Sequence, residues 1–360
     1  MKQIRLLDLG NVSPLRSQTC YHAVAYAMKP DSPDTVILVN PARPYVCIGF
    51  HQDLEKEVDL DYCRESGFPV YRREVGGGAV YLDNNQVFVQ WIFHPGSLPA
   101  DLETRFRLYV KPLVETYRAL DIPAYLRPVN DIHVDGKKIG GTGAAQIGEA
   151  EVLVGSLMFD FDKSKMARVL KVPSEKMRDK IFESLEQYMT TIKDQLGKIP
   201  DREKVKRLYA EKMAKTLNAE VIPGTWSEEE ETMVQRIDKR FLSDEWLYRK
   251  GTLKQSGIKI HEDVKLLDSV YKAPGGLIRA TVRLHDNRID DVALSGDFTL
   301  LPGMALGGME QALRGISMES ETVREKIVES YHALRIQSPG VTPEDFSKAV
   351  MLAIEQEQGR

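Results

Sequence analysis

The segment NDIHVDGKKIGGTGAA, residues 130–145, gathers side chains that can act on an anion. Asp135 and Gly136 are the preferred pair for a two-residue type I′ hairpin turn, so the flanking strands must pair about them. Val134 then faces Lys137 and His133 faces Lys138, with Asp131 diagonal on the face that carries His133 and Lys138. The opposite face holds Ile132, Val134 and Ile139, the pattern of a hairpin packed on a core, which selects Lys138 over Lys137 as the functional lysine. A lysine beside a carboxylate, followed by Gly140, Gly141, Thr142 and Gly143, suits a site where backbone approaches a phosphate and a cation neutralises it. Taken alone, these residues read equally well as an exposed hairpin with a surface ion pair and with His133 at the surface.

Arg72 and Arg73, just before Gly76, Gly77 and Gly78, make a second candidate anion site. Arginine binds phosphate or carboxylate bidentately, and glycines let backbone amides reach a ligand. A strained loop would carry the same three glycines. The loop has neither the Gly-Lys-Ser/Thr ending of a P-loop nor the Gly-x-Gly-x-x-Gly spacing of a dinucleotide fold, which disfavours both. None of the seven histidines has HExxH or similar spacing, and Cys20, Cys47 and Cys63 show no close pairing. Neither a zinc site nor a disulfide framework is indicated.

The elements that must position these residues follow from pattern. VILVN (36–40) and VCIGF (46–50) predict adjacent strands, with a helix near 55–65. FPVYRREV (68–75) predicts a strand running into the glycines. AVYL and QVFVQWIF, flanking Asp83, Asn84 and Asn85, predict a hairpin. Phe106, Val110, Leu113, Val114 and Tyr117 predict a helix over 103–120, interrupted by Pro112. Residues 163–218 read as helical and charged, ending in a helix with Val205, Leu208, Met213 and Leu217 on one face. Ser227 and Glu230 form a capping box for a helix to about Phe241. Beyond a boundary placed near residue 246, GLIRATVRL and RIDDVALSG predict a second hairpin about His285, Asp286 and Asn287. Thr342 and Pro343 open a last helix with Phe346, Val350 and Ile354 on one side.

The chain has 360 residues and a net charge of −4. It is long enough for one large domain with a smaller one, or for two of similar size. Lysine and arginine are dispersed among acids, so nucleic-acid binding is not favoured. No apolar run approaches the roughly 20 residues of a membrane span, and the opening MKQIRLLDLG turns polar early, which predicts a soluble cytoplasmic protein without membrane attachment.

RREVGGGAVYLD (72–83) followed by NDIHVDGKKIGGTG (130–143) resembles the two signature segments of the lipoate-protein ligase family. The similarity continues through VGSLMFD (154–160), FLSDEWLYRKG (241–251), YKAPGGLIRATVRL and ALSGDFTLLP (271–302). This resemblance implies an α+β fold: a mixed sheet flanked by helices, shared with biotin-protein ligases and class II aminoacyl-tRNA synthetases, in a catalytic domain over 1–245. A small C-terminal α/β accessory domain would cover 246–360. It implies ATP- and Mg²⁺-dependent activation of lipoate or octanoate as an acyl-adenylate, then transfer to a lysine of a lipoyl acceptor protein. That acceptor would be an E2 lipoyl domain, a glycine-cleavage H-protein or a related lipoate-binding protein. By the same resemblance Lys138 would contact the acyl carboxylate and the α-phosphate. Arg73, with Arg72 beside it and the loop Gly76, Gly77, Gly78, Ala79, Val80 and Tyr81, would hold the acyl-adenylate. Asn130 and Asp131 would lie near nucleotide and Mg²⁺, with Asp131 as the metal-facing carboxylate. Gly141, Thr142, Gly155 and Ser156 would complete the pocket.

The sequence departs from the family pattern at Leu82 and Val154, each in place of a frequent histidine, and at Asn85 and Gln86, in place of a Gly-Asn pair. An octanoyl or lipoyl transferase of the same fold would need a reactive cysteine, yet no cysteine follows Cys63. A biotin-protein ligase would carry Gly-Arg-Gly-Arg, which is absent. A non-catalytic lipoate-binding protein is opposed by the joint retention of Arg73, Asp131 and Lys138.

Overall fold

The computed structural model describes residues 2–250 and 264–358. The chain opens with β1 (Lys2–Val12), α1 (Pro14–Ala27), β2 (Thr35–Pro41) and β3 (Tyr45–Ile48), followed by the short helices α2 (Leu54–Glu57) and α3 (Leu60–Glu65). Then come β4 (Val70–Arg72), β5 (Val80–Leu82), β6 (Gln86–Phe93) and α4 (Leu102–Arg118). The central strands β7 (Tyr125–Arg127), β8 (Asp131–Val134), β9 (Lys137–Ile147) and β10 (Ala150–Met158) precede four helices, α5 (Lys163–Val169), α6 (Glu175–Tyr188), α7 (Ile192–Leu196) and α8 (Arg202–Leu217). β11 (Ala219–Pro223), α9 (Glu228–Phe241) and α10 (Asp244–Leu247) follow.

Eight strands form a mixed sheet in the order β11-β1-β2-β6-β10-β9-β8-β7, while β4-β3-β5 form a small second sheet. β2 and β6 are buried at every residue, as expected of strands covered on both faces. On one face α1 packs through Gln90, which donates to Ser17 O at 3.0 Å and accepts from Cys20 Sγ at 3.1 Å. On the other face Trp91 meets the Tyr109 ring edge-on at 5.1 Å and donates to Tyr209 OH at 2.8 Å, which places α4 and α8 there. α4 runs through Pro112. An interior proline costs about 3 kcal/mol through its missing N–H and the clash of its ring with the preceding turn, less than the burial of Phe106, Val110 and Leu113 returns at roughly 1.5–3 kcal/mol each.

Two compact units emerge. The first comprises Met1–Cys47, Val58–Arg73 and Val80–Trp246; the second comprises Ile48–Glu57, Glu74–Ala79 and Leu247–Arg360. In the second, β12 (Val264–Ala273), β13 (Gly276–His285) and β14 (Arg288–Gly296) form an antiparallel sheet, followed by α11 (Ala305–Ala312), α12 (Ser320–Ala333) and α13 (Pro343–Gln358). Ile278, Val282, Leu294, Phe298, Met309, Ile327, Phe346 and Val350 make its core. The two early segments belong to this unit by hydrogen bonding: Gly296 N–H donates to His51 O at 3.1 Å, Gly77 N–H donates to Phe298 O at 3.3 Å, and Arg279 pairs with Glu57 at 2.7 Å. Among the described residues no helix is long and apolar enough to cross a membrane.

Several local expectations change. β2 and β3 do not pair with each other; they belong to different sheets. β5 and β6 do not form a hairpin either, because β5 pairs with β3 while β6 pairs with β2 and β10. Between them Asp83 Oδ1 accepts from Asn85 N–H at 2.9 Å, a local turn that hands the chain from one sheet to the other. The strand predicted over 68–75 is confined to β4, and the helix near 55–65 is split into α2 and α3. On α8 the buried face is Val205, Tyr209 and Met213, with Leu208 and Leu217 only half-buried. Of FLSDEWLYRKG, Gly251 lies outside the described residues.

Candidate active site

The hairpin around Asp135 and Gly136 has the predicted turn, with positive φ of 48° and 79° at its two central residues. Val134 pairs with Lys137 and His133 with Lys138; a bulge beyond them then brings Ile132 opposite Gly140 and Asp131 opposite Gly141. Lys138 Nζ lies 2.8 Å from Asp131 Oδ1. Gly141 makes room for this pair, since a methyl there would meet Lys138 Nζ at 3.0 Å and Cε at 3.1 Å. Ile132, Val134 and Ile139 are buried, and Lys137, opposite Val134 at the end of the turn, is exposed.

Registry extends the site across four strands. Gly155 pairs with Thr142 and with Val89, and Ser156 pairs with Phe88. Directly opposed residues share a face and successive ones alternate. Asp131, Gly141, Ser156 and Phe88 therefore share one face, with Gln86 two residues along from Phe88. Ser156 Oγ donates to Gln86 Oε1 at 3.4 Å, consistent with that placement. Gln90, next on the same side of β6, faces α1, so the row lies on the α1 side of the sheet. Gln86 is buried, and its Nε2 has no partner among the described residues. In the sequence Gln86 stands out only as a departure from a family pattern; its membership of the row depends on pairing between distant strands.

Thr142 and Gly155 face the other way. Thr142 Oγ1 donates to Asn130 O at 2.7 Å, and the Asn130 amide donates back to Thr142 O. This mutual lock fixes the start of β8 against β9. A methyl at Gly155 would meet Tyr109 OH at 3.0 Å and Thr142 Cγ2 at 3.1 Å. On that side of the sheet Thr142 is held against Asn130, and Gly155 leaves room for the Tyr109 hydroxyl. His133 is corrected: it is buried, not at the surface. Its Nδ1 lies 3.2 Å from Gly136 O, a carbonyl that accepts, so Nδ1 carries the proton and the buried Nε2 is left without a partner among the described residues. Burial holds its pKa below the usual histidine value.

The two arginines part company. Arg72 is fully buried; its Nε donates to Trp246 O at 3.2 Å while the Trp246 indole donates to Arg72 O at 2.8 Å. That reciprocal bond ties β4 to α10. Arg73 is half-buried and donates to Cys47 O at 3.3 Å. Val80 is partly exposed, while Tyr81 is buried, with its backbone N–H 3.3 Å from Met166 Sδ and its hydroxyl without a partner among the described residues.

The glycine loop belongs to the second unit, and packing there explains two of its three glycines. A methyl at Gly76 would meet Phe298 O at 2.7 Å and Thr299 Cα at 2.9 Å. Gly77 has a φ of +94°, and its carbonyl passes so close to Gly49 that a Cβ on Gly49 would fall 1.8 Å from it. At Gly78 a methyl would make ordinary contact with Asp297 at 3.6 Å, and Ala79 is buried.

All three cysteines are buried. Burial pushes the Cys20 thiol up to about 12 and the Cys63 thiol up to about 11, and raises that of Cys47 against the opposing effect of Arg73.

A family model described as the lipoyl protein ligase A/B catalytic domain matches residues 16–214, more than half of the chain. The chain belongs to that family. It is 28% identical over 277 residues to the octanoyltransferase LipM of Kyrpidia tusciae, covering 69% of this chain and 100% of that protein. A chain from the bi-partite lipoate protein ligase and E2 lipoyl domain system of Thermoplasma acidophilum superposes with a TM-score of 0.63 at 26% identity, covering 72% of this chain and 100% of that one. Plasmodium falciparum LipL1, solved in complex with lipoate, reaches a TM-score of 0.68 over 98% of this chain and 99% of its own at 14% identity, which bears on the fold alone. The α+β architecture with a mixed sheet flanked by helices is the fold of these proteins.

Proposed function

We propose that this chain is an ATP-dependent lipoate-protein ligase that activates lipoate or octanoate as an acyl-adenylate and transfers the acyl group to a lysine of a lipoyl acceptor domain. Residues 1–245 would carry the chemistry and 246–360 an accessory role. In the first step an acyl carboxylate oxygen attacks the α-phosphorus of ATP, and the bond to the β-phosphate breaks to release pyrophosphate. Lys138, beside Asp131 and over the gap at Gly141, would neutralise the charge that collects on the carboxylate and α-phosphate oxygens. In the second step the acceptor amine attacks the acyl carbonyl carbon, the C–N bond forms, the amine loses a proton and AMP leaves. This step asks the enzyme for proximity and exclusion of water, not for a nucleophile of its own.

Asp131 is a single carboxylate, and no cluster of three metal-ligating side chains occurs among the described residues. That donor set fits Mg²⁺ arriving on the nucleotide, held by phosphate oxygens and one carboxylate. Bound there, the ion would supply neutralisation of phosphate charge. Arg73, with Val80 and Tyr81, would serve the acyl-adenylate.

The observation that carries the ligase reading over its rival is the state of the cysteines. The LipM relative is named an octanoyltransferase, which makes thioester transfer the second reading. Such transfer needs an exposed, low-pKa thiolate, whereas Cys20, Cys47 and Cys63 are buried with raised pKa values.

The test is pyrophosphate release from ATP with lipoate and then octanoate, followed by the mass of an added lipoyl domain. We expect acyl-dependent release and a mass gain on the acceptor. Lys138→Ala should abolish both, and Lys137→Ala should change them little. Transfer from an acyl-carrier thioester without pyrophosphate release would establish the transferase instead.

A further inference from the structure

Every residue of α6 is at least partly exposed, although its sequence is amphipathic: Met177, Ile181, Leu185 and Tyr188 form one stripe. Met177 is 42% exposed, Phe182 38% and Tyr188 55%. The hydrogen bonds and ion pairs that hold the helix are largely polar contacts to its neighbour α5. Arg178 donates to the carbonyls of Ala167, Arg168 and Leu170 at 3.1, 2.9 and 3.3 Å, and Glu186 lies 3.5 Å from Lys163. Ile181 and Leu185, at the centre of the stripe, are half-buried, while Met177 and Tyr188 at its ends and Phe182 beside it are left exposed.

The chain leaving α6 enters the site. Met189 bridges to Lys138, and Thr190 N–H donates to Lys138 O at 2.9 Å. Lys138 pairs with His133, and His133 with Tyr125, which is 39% exposed. Tyr125, His133, Lys138 and Met189 thus occupy successive rungs, about 14 Å from end to end at ~4.8 Å per step. On the far side Arg127, two residues along β7 from Tyr125 and on the same face, is exposed as well. Exposed aromatic, methionine and arginine side chains, the types enriched at protein interfaces, flank Lys138 on both sides.

We propose that α6, with the Tyr125–Arg127 edge, is the docking surface for the folded acceptor domain whose lysine is acylated. This rests on the ligase reading above. The occupant follows from the second step: the acceptor amine must reach a carbonyl activated at Lys138, so the acceptor's own surface has to rest on whatever borders that lysine. A 14-residue helix is about 21 Å long at 1.5 Å per residue, the scale of a protein surface and far more than an acyl chain or a nucleotide requires outside its pocket.

The experiment compares the wild-type chain with Met177→Ser/Phe182→Ser/Tyr188→Ser and, separately, Tyr125→Ser. Three quantities are read: acyl-dependent ATP–pyrophosphate exchange without acceptor, KM and kcat for an apo-E2 lipoyl domain, and sedimentation of the ligase alone. We expect KM for the lipoyl domain to rise about tenfold or more, with exchange, kcat at saturating acceptor and sedimentation unchanged. A parallel fall in exchange would make α6 a cover for the first step and overturn the proposal, as would an unchanged KM. A wild-type dimer dissociated by the triple variant would assign the face to a second copy. Absence of exchange in the wild type would refute the ligase reading instead, and direct binding of the lipoyl domain to wild type and variant would still decide the docking surface.

Discussion

Gly141 governs how much room the Lys138 side chain has. A methyl there would approach Nζ and Cε to 3.0 and 3.1 Å, tighter than ordinary contact, while Asp131 Oδ1 stands at 3.6 Å. The flexible end of the lysine can move aside, so folding should survive, but the ammonium would leave its place. Displacement of a charge-stabilising group by an ångström costs on the order of 100-fold in rate. Gly141→Ala should therefore lower adenylate formation by about 10- to 100-fold with a thermal midpoint close to wild type; a large fall in midpoint with normal specific activity would refute this. At this scale the sequence was informative, because the Asp135–Gly136 turn is local chemistry and fixes which lysine faces Asp131. It did not disclose the bulge between Ile132 and His133, nor Gln86, whose place beside Ser156 is set by a strand 70 residues away in the chain.

At the scale of elements, the glycine loop is a close crossing of two backbone segments. A Cβ on Gly49 would overlap Gly77 O at 1.8 Å, and no rotamer relieves it because both atoms are backbone-fixed. Gly49→Ala should destabilise the second unit by several kcal/mol, in the range of severe core overpacking, and a denaturant midpoint indistinguishable from wild type would sink the idea. The same segment shows why pattern alone misassigned some strands. QVFVQWIF and AVYL have the composition of a hairpin, but β6 is buried along its whole length between β2 and β10, and partner choice of that kind is decided by long-range burial. Helix ends behaved differently. Ser227 with Glu230 and Thr342 with Asp345 cap α9 and α13 through contacts three residues apart, which a linear reading can capture. The triple glycine reads in the sequence as approach to a ligand or as a strained loop, and at Gly76 and Gly77 the backbone runs close to Phe298 and Gly49.

For the whole molecule, the two compact units are not two consecutive stretches of chain. The backbone passes from one unit to the other five times, since residues 48–57 and 74–79 are contributed to the second unit from within the first. A polypeptide ending at Trp246 would keep those ten- and six-residue pieces without the Phe298 carbonyl, the Gly296 amide and Arg279 that they bond. One beginning at Leu247 would lack the pieces themselves. Each fragment is thus incomplete in a way that only the other can remedy. Expressed together, residues 1–246 and 247–360 should assemble into a complex with no covalent link, detectable as one species in native mass spectrometry. Independent migration of the two fragments would show that the bonds of the inserted segments are too weak to hold it. Cutting this chain at what resembles a domain border would therefore yield a complementing pair.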